Sequence, residues 1–311
     1  MTEATCDLHM HSTASDGTDA PAELPALARE AGLSAIALTD HDTTAGIAAG
    51  AAAAAEAGIA FVPGIELSAD PASLQAPTGR RGTALSGGAN GEALSQGTLH
   101  VLGYFIDPEN AELAQLQQRL RDAREQRNPA MVQKLQSLGV KIEHQEVVNL
   151  ATAEGSKAPG RPHIARLLVD KGYVKSSHEA FARYIGQHGA AYVRKDRLAA
   201  EEAIDTIHRA GGLATLAHPV QLELEPEALE HALARLRDLG LDAIELYHSD
   251  HSPGDRQRLS RLADQFNLLT TGGSDYHGNN KRIPLGSENV SFMIYQQLHD
   301  AWQQRGDVSK V

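Results

Sequence analysis

The stretch Thr5-Cys6-Asp7-Leu8-His9-Met10-His11 decides the fold. It reads as a β-strand in which His9 and His11, at i and i+2, leave the same face, so that one cation can bind both imidazoles. A lone His-x-His pair carries little weight, and its meaning depends on the rest of the chain. Outward from it, short β-rich runs alternate with Ala- and Leu-rich helical stretches. A helix over 21–31 stops at Gly32 and a helix over 48–57 stops at Gly58, glycine being the natural residue just past a helix end. Strands are expected over 34–39, 59–66 and 98–106. The alternation returns after residue 197, with helices over 201–210, 226–239 and 253–265 and strands over 213–217, 241–247 and 268–272. Alternating βα units of this kind build a parallel sheet, and about seven strands suffice to close it as a barrel.

Residues 110–197 break the pattern. Helices are expected over 111–127, 131–138, 162–171 and 177–185 with little strand signal, so the chain divides into a barrel part over 1–109, a helical insertion or lid over 110–197, and a second barrel part over 198–311. The run Pro71 to Gly97 is rich in Gly, Ser, Ala and Pro, and is expected to be a long surface loop.

The chain has 311 residues and a formal charge of −12, from 28 Lys and Arg against 40 Asp and Glu. That argues against a protein that coats long duplex nucleic acid. The charge is unevenly placed: between Glu112 and Arg197 stand 15 basic and 9 acidic residues, against 13 and 31 elsewhere. Aromatic residues make up 4%, few stacking platforms for a long single strand, so a short substrate or a chain end is favoured. A single cysteine, Cys6, excludes an internal disulfide or a multi-cysteine zinc site and points to a reducing compartment. The amino terminus lacks the pattern of a secretory signal and no apolar run suits a membrane span, so a cytoplasmic location is expected.

Against the one thiol stand 15 histidines. Beyond His9 and His11, nearly every strand brings a ligand type with it: Asp40-His41-Asp42 after the second, Glu66 at the third, His100 within the fourth, His218 after the fifth, and Asp275-Tyr276-His277 after the seventh. In a parallel barrel the carboxyl ends of the strands share one rim, where active sites sit. Buried core histidines or solvated charges would explain any one position, but the whole set would need a coincidence at six strand ends.

The motifs DLHMHSTASDGT (7–18), ALTDHDT (37–43), GIELS (64–68), the His100 strand, LAHP (216–219) and GGSDYHG (272–278) resemble, in order and over nearly the whole chain, those of the PHP family, the polymerase and histidinol phosphatase superfamily of metal-dependent phosphoesterases. The resemblance implies an α/β fold, a distorted (β/α)7 TIM-like barrel, holding two or three divalent ions. Carried over by position, His9, His11, Glu66 and Asp275 would hold one metal. Glu66 would bridge to a second held by His100 and His218, and Asp16, His41 and His277 would hold the third. A His and carboxylate set without thiolate suits Mn²⁺, Fe²⁺ or Zn²⁺. Manganese is the first candidate, because family members are often manganese-loaded. Ions about 3.5–4 Å apart generate a bridging hydroxide and orient it at phosphorus, so no nucleophilic side chain is needed. Asp16, His41, Glu66, His218 and Asp275 are accordingly the candidate catalytic residues. Asp40 and Asp42, flanking His41, are expected to orient it, the alternative being that one of them caps the following helix. Asp16, His218 and His248 are each open as the general acid.

The insertion carries a second signal. Arg124 and Arg127 of AREQRN share a helix face and lead to Asn128, while GRPHIAR supplies Arg161 and His163. GRPHIA resembles the insertion of a PHP subgroup that contains 3′,5′-nucleoside bisphosphate phosphatases and 5′→3′ exoribonucleases. With His248, these five residues are the expected substrate contacts. The resemblance implies hydrolysis of phosphate esters of nucleotides or of short RNA 5′ ends. A histidinol-phosphate phosphatase and a non-catalytic metal-binding module that docks nucleic acid are the alternatives.

Overall fold

A computed structural model describes residues 4–74, 97–153, 159–186, 188–193 and 198–308. Among the described residues, eight strands form one sheet: β1 (Thr5–Asp7), β2 (Leu33–Leu38), β3 (Ala60–Ala69), β4 (Leu99–Tyr104), β5 (Leu213–Leu216), β6 (Ala243–Tyr247), β7 (Leu269–Gly272) and β8 (Val290–Ser291). Their spatial order is β7-β6-β5-β4-β3-β2-β1-β8. The chain just beyond β1 bridges the chain just beyond β7 in parallel at Met10 and Tyr276, so the sheet curls into a nearly closed barrel. The bonds His11 N–H to Tyr276 O (2.9 Å) and Asp275 N–H to His9 O (2.9 Å) make that seam.

Two features depart from an all-parallel expectation. β4 runs antiparallel to both β3 and β5. The short β8, unforeseen, pairs antiparallel with β1. The reversal of β4 explains how His100, near the start of its strand, reaches the rim that the other strands reach at their carboxyl ends. His100 stands opposite Ser68 near the end of β3.

The alternation of side chains along the strands sorts the core into an inner and an outer layer. Leu99 and Val101 of β4 face outward, onto a shell formed with α7 (Ala200–Arg209), α8 (Pro226–Asp238) and α9 (Pro253–Phe266). Leu102 and Tyr104 face inward with Leu8, Val62 and Ala243. Tyr104 plugs the barrel, its hydroxyl donating to Leu8 O at 2.9 Å. On the other flank, α1 (Leu24–Glu30) and α2 (Ile47–Ala57) cover Ile36 and Leu38 of β2.

Between β4 and β5 lie α3 (Ala111–Ser137), α4 (His144–Ala153), α5 (Arg161–Asp170) and α6 (Ser177–Ala180), and these build an apolar cluster of their own around Met131, Leu135, Ile164 and Leu168. α3 is one continuous helix where the sequence reading expected two. Pro129 removes one backbone donor without ending it, and the buried Asn128 beside it donates to Pro159 O at 2.8 Å. Helices α4 and α10 (Phe292–Val308) were not foreseen. Most of the expected loop, residues 75–96, lies outside the described residues, and Pro71–Leu74 form a helical turn. No helix of the described residues is long and apolar enough to cross a membrane.

Candidate metal centre

Four backbone carriers set the floor of the site. His9 and His11 sit on the extended chain after β1, His41 follows β2, Glu66 lies in β3, and Asp275 and His277 follow β7. Glu66 is the hub, 1% exposed. Its Oε1 lies 2.8 Å from His100 Nδ1 and 3.0 Å from His218 Nε2. Its Oε2 lies 2.9 Å from His41 Nδ1, 3.3 Å from His11 Nε2 and 3.5 Å from His9 Nε2. Asp275 Oδ1 adds a second carboxylate at 3.2 Å from His11 Nε2 and 3.5 Å from His9 Nε2. Asp16 Oδ1 lies 3.4 Å from His277 Nε2 and 3.8 Å from His11 Nδ1, and its Oδ2 lies 3.8 Å from His41 Nε2. All nine residues expected as ligands therefore converge on one cluster.

His9 Nε2, both ring nitrogens of His11, His41 Nδ1 and Glu66 Oε2 are buried there without a hydrogen-bond partner. Buried polar atoms normally have one, so a knot of orphans is a place built for something else. Sets of ligand atoms from His11, Asp16, His41 and His277, from His9, His11 and Glu66, and from His41, Glu66 and His100 each lie within 4.8 Å of one another. The residues present fit divalent cations: nitrogen and oxygen donors in facing groups, with the charge of three carboxylates behind them.

Electrostatics prepare the donors. Burial first, then the neighbouring His277 and His41, hold the His11 pKa down to about 3. Burial likewise holds His218 down to about 4. Both are neutral at pH 7, the form that binds a metal. Burial opposes charging of Glu66, but His41, His100 and His9 hold its carboxyl well below the usual range.

Several residues take other places than expected. His248, assigned to substrate contact, is fully buried, with Nε2 3.4 Å from Asp275 Oδ2 and its ligand atom grouped with those of His9 and Asp275. Asp40 accepts from Ser12 N–H (2.8 Å) and from the Ser12 and Ser15 hydroxyls (2.7 Å each), so it braces the turn that carries Asp16. Asp42 accepts from Ser68 N–H at 3.1 Å. His163 accepts the Gly160 N–H at 3.1 Å and caps α5. The side chain of Arg124 lies outside the described residues.

Two residues were missed. Lys281 lays its ammonium against Asp275 Oδ2. Glu245 is buried in β6 against His9. Its signal was present, since a carboxylate between Ile244 and Leu246 in a core strand needs a buried partner.

A cleft of about 920 Å³ opens over the cluster. Asp16, His41 and His100 line its barrel wall, and Arg127, Asn128, Arg161, His163, Phe181 and Tyr192 line the wall formed by the helical segment. The Arg127 guanidinium lies 5.3 Å from the centre of the Tyr192 ring and Arg161 lies 5.4 Å from that of Phe181, stacking that fixes both cations in the wall.

Close packing protects the floor. At Gly273 a methyl group would overlap the His9 backbone nitrogen and lie 2.5 Å from His9 Cβ. Gly273→Ala is expected to destabilise the fold by about 1–3 kcal/mol. Urea melts check it, and an unchanged midpoint would show that the seam can relax.

The chain is similar to known proteins over most of its length. The chain is 33% identical to a 5′-3′ exoribonuclease of Haemophilus influenzae, over 87% of this chain and 89% of that one. It is 31% identical to a 3′,5′-nucleoside bisphosphate phosphatase of Chromobacterium violaceum, over 88% and 87%. The crystal structure of a candidate metal-dependent phosphoesterase from Bifidobacterium adolescentis superposes with a TM-score of 0.76 at 29% identity, covering 95% of each chain. The sequence profile of the PHP domain matches residues 7–213. With that match over most of its length, a barrel of this topology and these motifs on one rim, the chain belongs to the PHP domain family.

Proposed function

We propose that this PHP protein is a metal-dependent hydrolase that removes a terminal phosphate or nucleotide from 3′,5′-nucleoside bisphosphates or from the 5′ ends of short RNA. The observation that carries the reading is the cleft itself, with cation-binding groups on one wall and fixed arginines on the other. The names of the relatives support the same substrate class. Residues 110–197 act as the lid, and the barrel parts 1–109 and 198–311 hold the metals. We place the enzyme in the cytoplasm, in keeping with one buried, unpaired cysteine.

His9, His11, Glu66 and Asp275 would hold one divalent ion, His100 and His218 with Glu66 a second, and Asp16, His41 and His277 a third, manganese being the first candidate. Bound there, such ions polarise phosphoryl oxygens and acidify water. The protein's part is binding and orientation. His9 and His11 are fully buried, whereas Asp16, His41 and His100 are open to the cleft at 25%, 22% and 18% side-chain exposure, so the phosphoester approaches from their side. Arg127, Arg161 and the N-terminus of α5 hold a second phosphate away from the reacting one. Cys6 takes no part: burial first, then Asp7, pushes its thiol up to about 12.

Arg161→Ala is expected to raise KM for a nucleoside bisphosphate about 10- to 100-fold, the worth of a charge-assisted contact of about 1.5–3 kcal/mol, with kcat changed much less. Steady-state kinetics check it, and an equal fall in kcat would move Arg161 to the reacting phosphate. The function is tested by loading the protein with Mn²⁺ and measuring phosphate and mononucleotide released from pNp compounds, 5′-phosphorylated short RNA and histidinol phosphate. Turnover of the first two is expected. Turnover of histidinol phosphate alone, or of nothing, overturns the reading in favour of a histidinol-phosphate phosphatase or a non-catalytic module.

A further inference from the structure

We infer that Glu245 is a positioning residue that locks His9 and His218 as nitrogen donors, so that one carboxylate of β6 couples the two sides of the Glu66 hub. The inference rests on the reading of the cluster as a metal centre. Glu245 is fully buried and faces into the barrel. Its Oε1 lies 2.9 Å from His9 Nδ1, and its Oε2 accepts the His218 backbone N–H at 2.7 Å.

Each bond fixes one donor. An ionised carboxylate only accepts, so the proton of His9 stays on Nδ1 and Nε2 is the ligating position. Nε2 is the atom turned toward Glu66 Oε2 and Asp275 Oδ1. His218 has φ +26° and ψ +65°, a left-handed conformation that a residue with a side chain seldom adopts. The bond from its N–H to Glu245 holds that turn, and the turn presents Nε2 to the other oxygen of Glu66. Two histidines 209 positions apart thus share one anchor, and they serve opposite oxygens of one hub.

Glu245→Gln separates this role from mere packing, because the amide has the same shape but one acceptor and one donor end. With its oxygen on the His218 N–H, the amide NH₂ faces His9 Nδ1 and drives the ring proton to Nε2, closing the ligating position. With the amide turned over, two N–H groups oppose each other at His218. One donor is lost in either case. Glu245→Asp keeps both acceptors but is one methylene shorter, and should retain part of the function.

The test uses the full chain, stripped with a chelator and titrated with Mn²⁺ alone in competition with an indicator. Glu245→Gln is expected to bind Mn²⁺ about 10- to 100-fold more weakly than the wild type, the usual effect of losing a partner of a metal-bound histidine, with Glu245→Asp in between. In a His9→Ala background the Gln substitution should cost less than it does alone. Wild-type affinity in Glu245→Gln, a fully multiplicative effect in the double variant, or failure of both variants to fold would overturn the inference. Failure of the wild type to bind Mn²⁺ would instead overturn the metal-centre reading on which it stands.

Discussion

Replacing Glu66 by Gln in the metal-loaded protein is expected to lower kcat on the order of 10³-fold, about 4 kcal/mol of transition-state stabilisation, with little change in KM. The two oxygens of this carboxylate stand between the His100 and His218 pair on one side and the His9, His11 and His41 group on the other. A neutral amide keeps the volume but turns one of those oxygens into a donor that opposes the imidazoles facing it. It also removes the buried negative charge that the site needs to hold cations in low dielectric. The arginine wall is untouched, which is why substrate affinity should survive. Steady-state kinetics together with a metal count decide the matter. A loss below tenfold with full metal content would show that Glu66 is not the hub.

The chelated protein is expected to be most stable near pH 6.5 and to weaken on either side. An unfolded histidine titrates at about 6.5. On the acid side, folded His11 at about 3 and His218 at about 4 refuse protons that the unfolded chain accepts. Between pH 6.5 and 4 the unfolded state therefore binds more protons, and stability falls with falling pH by about 1.4 kcal/mol per unit for each group. Protonation of Glu66 and Asp275, whose neighbouring imidazoles hold them low against the cost of burial, extends the loss to still lower pH. Asp7 and Asp40, raised by burial, work in the opposite direction there.

On the alkaline side the sign reverses. Burial opposes the charge on His41, but Glu66 and Asp16 outweigh it and raise its pKa to about 9, and Glu245, Asp275 and Glu66 raise His9 in the same direction. Above pH 6.5 the folded state holds protons that the unfolded state has released, so stability is lost as pH rises toward 9. Bound cations take the place of those protons, and the alkaline loss should vanish on metal loading. Urea melts at pH 5, 6.5 and 8.5, with chelator and with Mn²⁺, test both limbs. A chelated protein that gains stability from pH 6.5 to 8.5 would contradict the placement of His41 and His9 among carboxylates.

Much of this was legible in the residues. His9 and His11 could be put on one face because a strand has period two, and the motifs around His41, Glu66, His218 and Asp275 fall near strand ends, where a barrel gathers side chains. Arg127, sharing a helix face with Arg124, and Arg161 of GRPHIAR were each legible as basic residues in a segment without strand signal, but not as neighbours. Side-chain period says which face a residue takes, but it is blind to strand direction. The antiparallel course of β4, which lifts His100 to the working rim, is therefore absent from the local pattern. The same holds for β8, for the unbroken run of α3 through Pro129, and for the withdrawal of His248 from the cleft to Asp275.

The sequence by itself determined the ligand chemistry, the shared face of His9 and His11, and the contrast between an acidic barrel and a basic helical segment, because residue type and short-range period are local properties. Only the tertiary structure decided which donors share an oxygen of Glu66, that Glu245 anchors His9 across 236 positions, and that the arginines face the cluster across one cleft. Those are matters of strand order and direction, set by the packing of the whole barrel, and no window of the chain contains them.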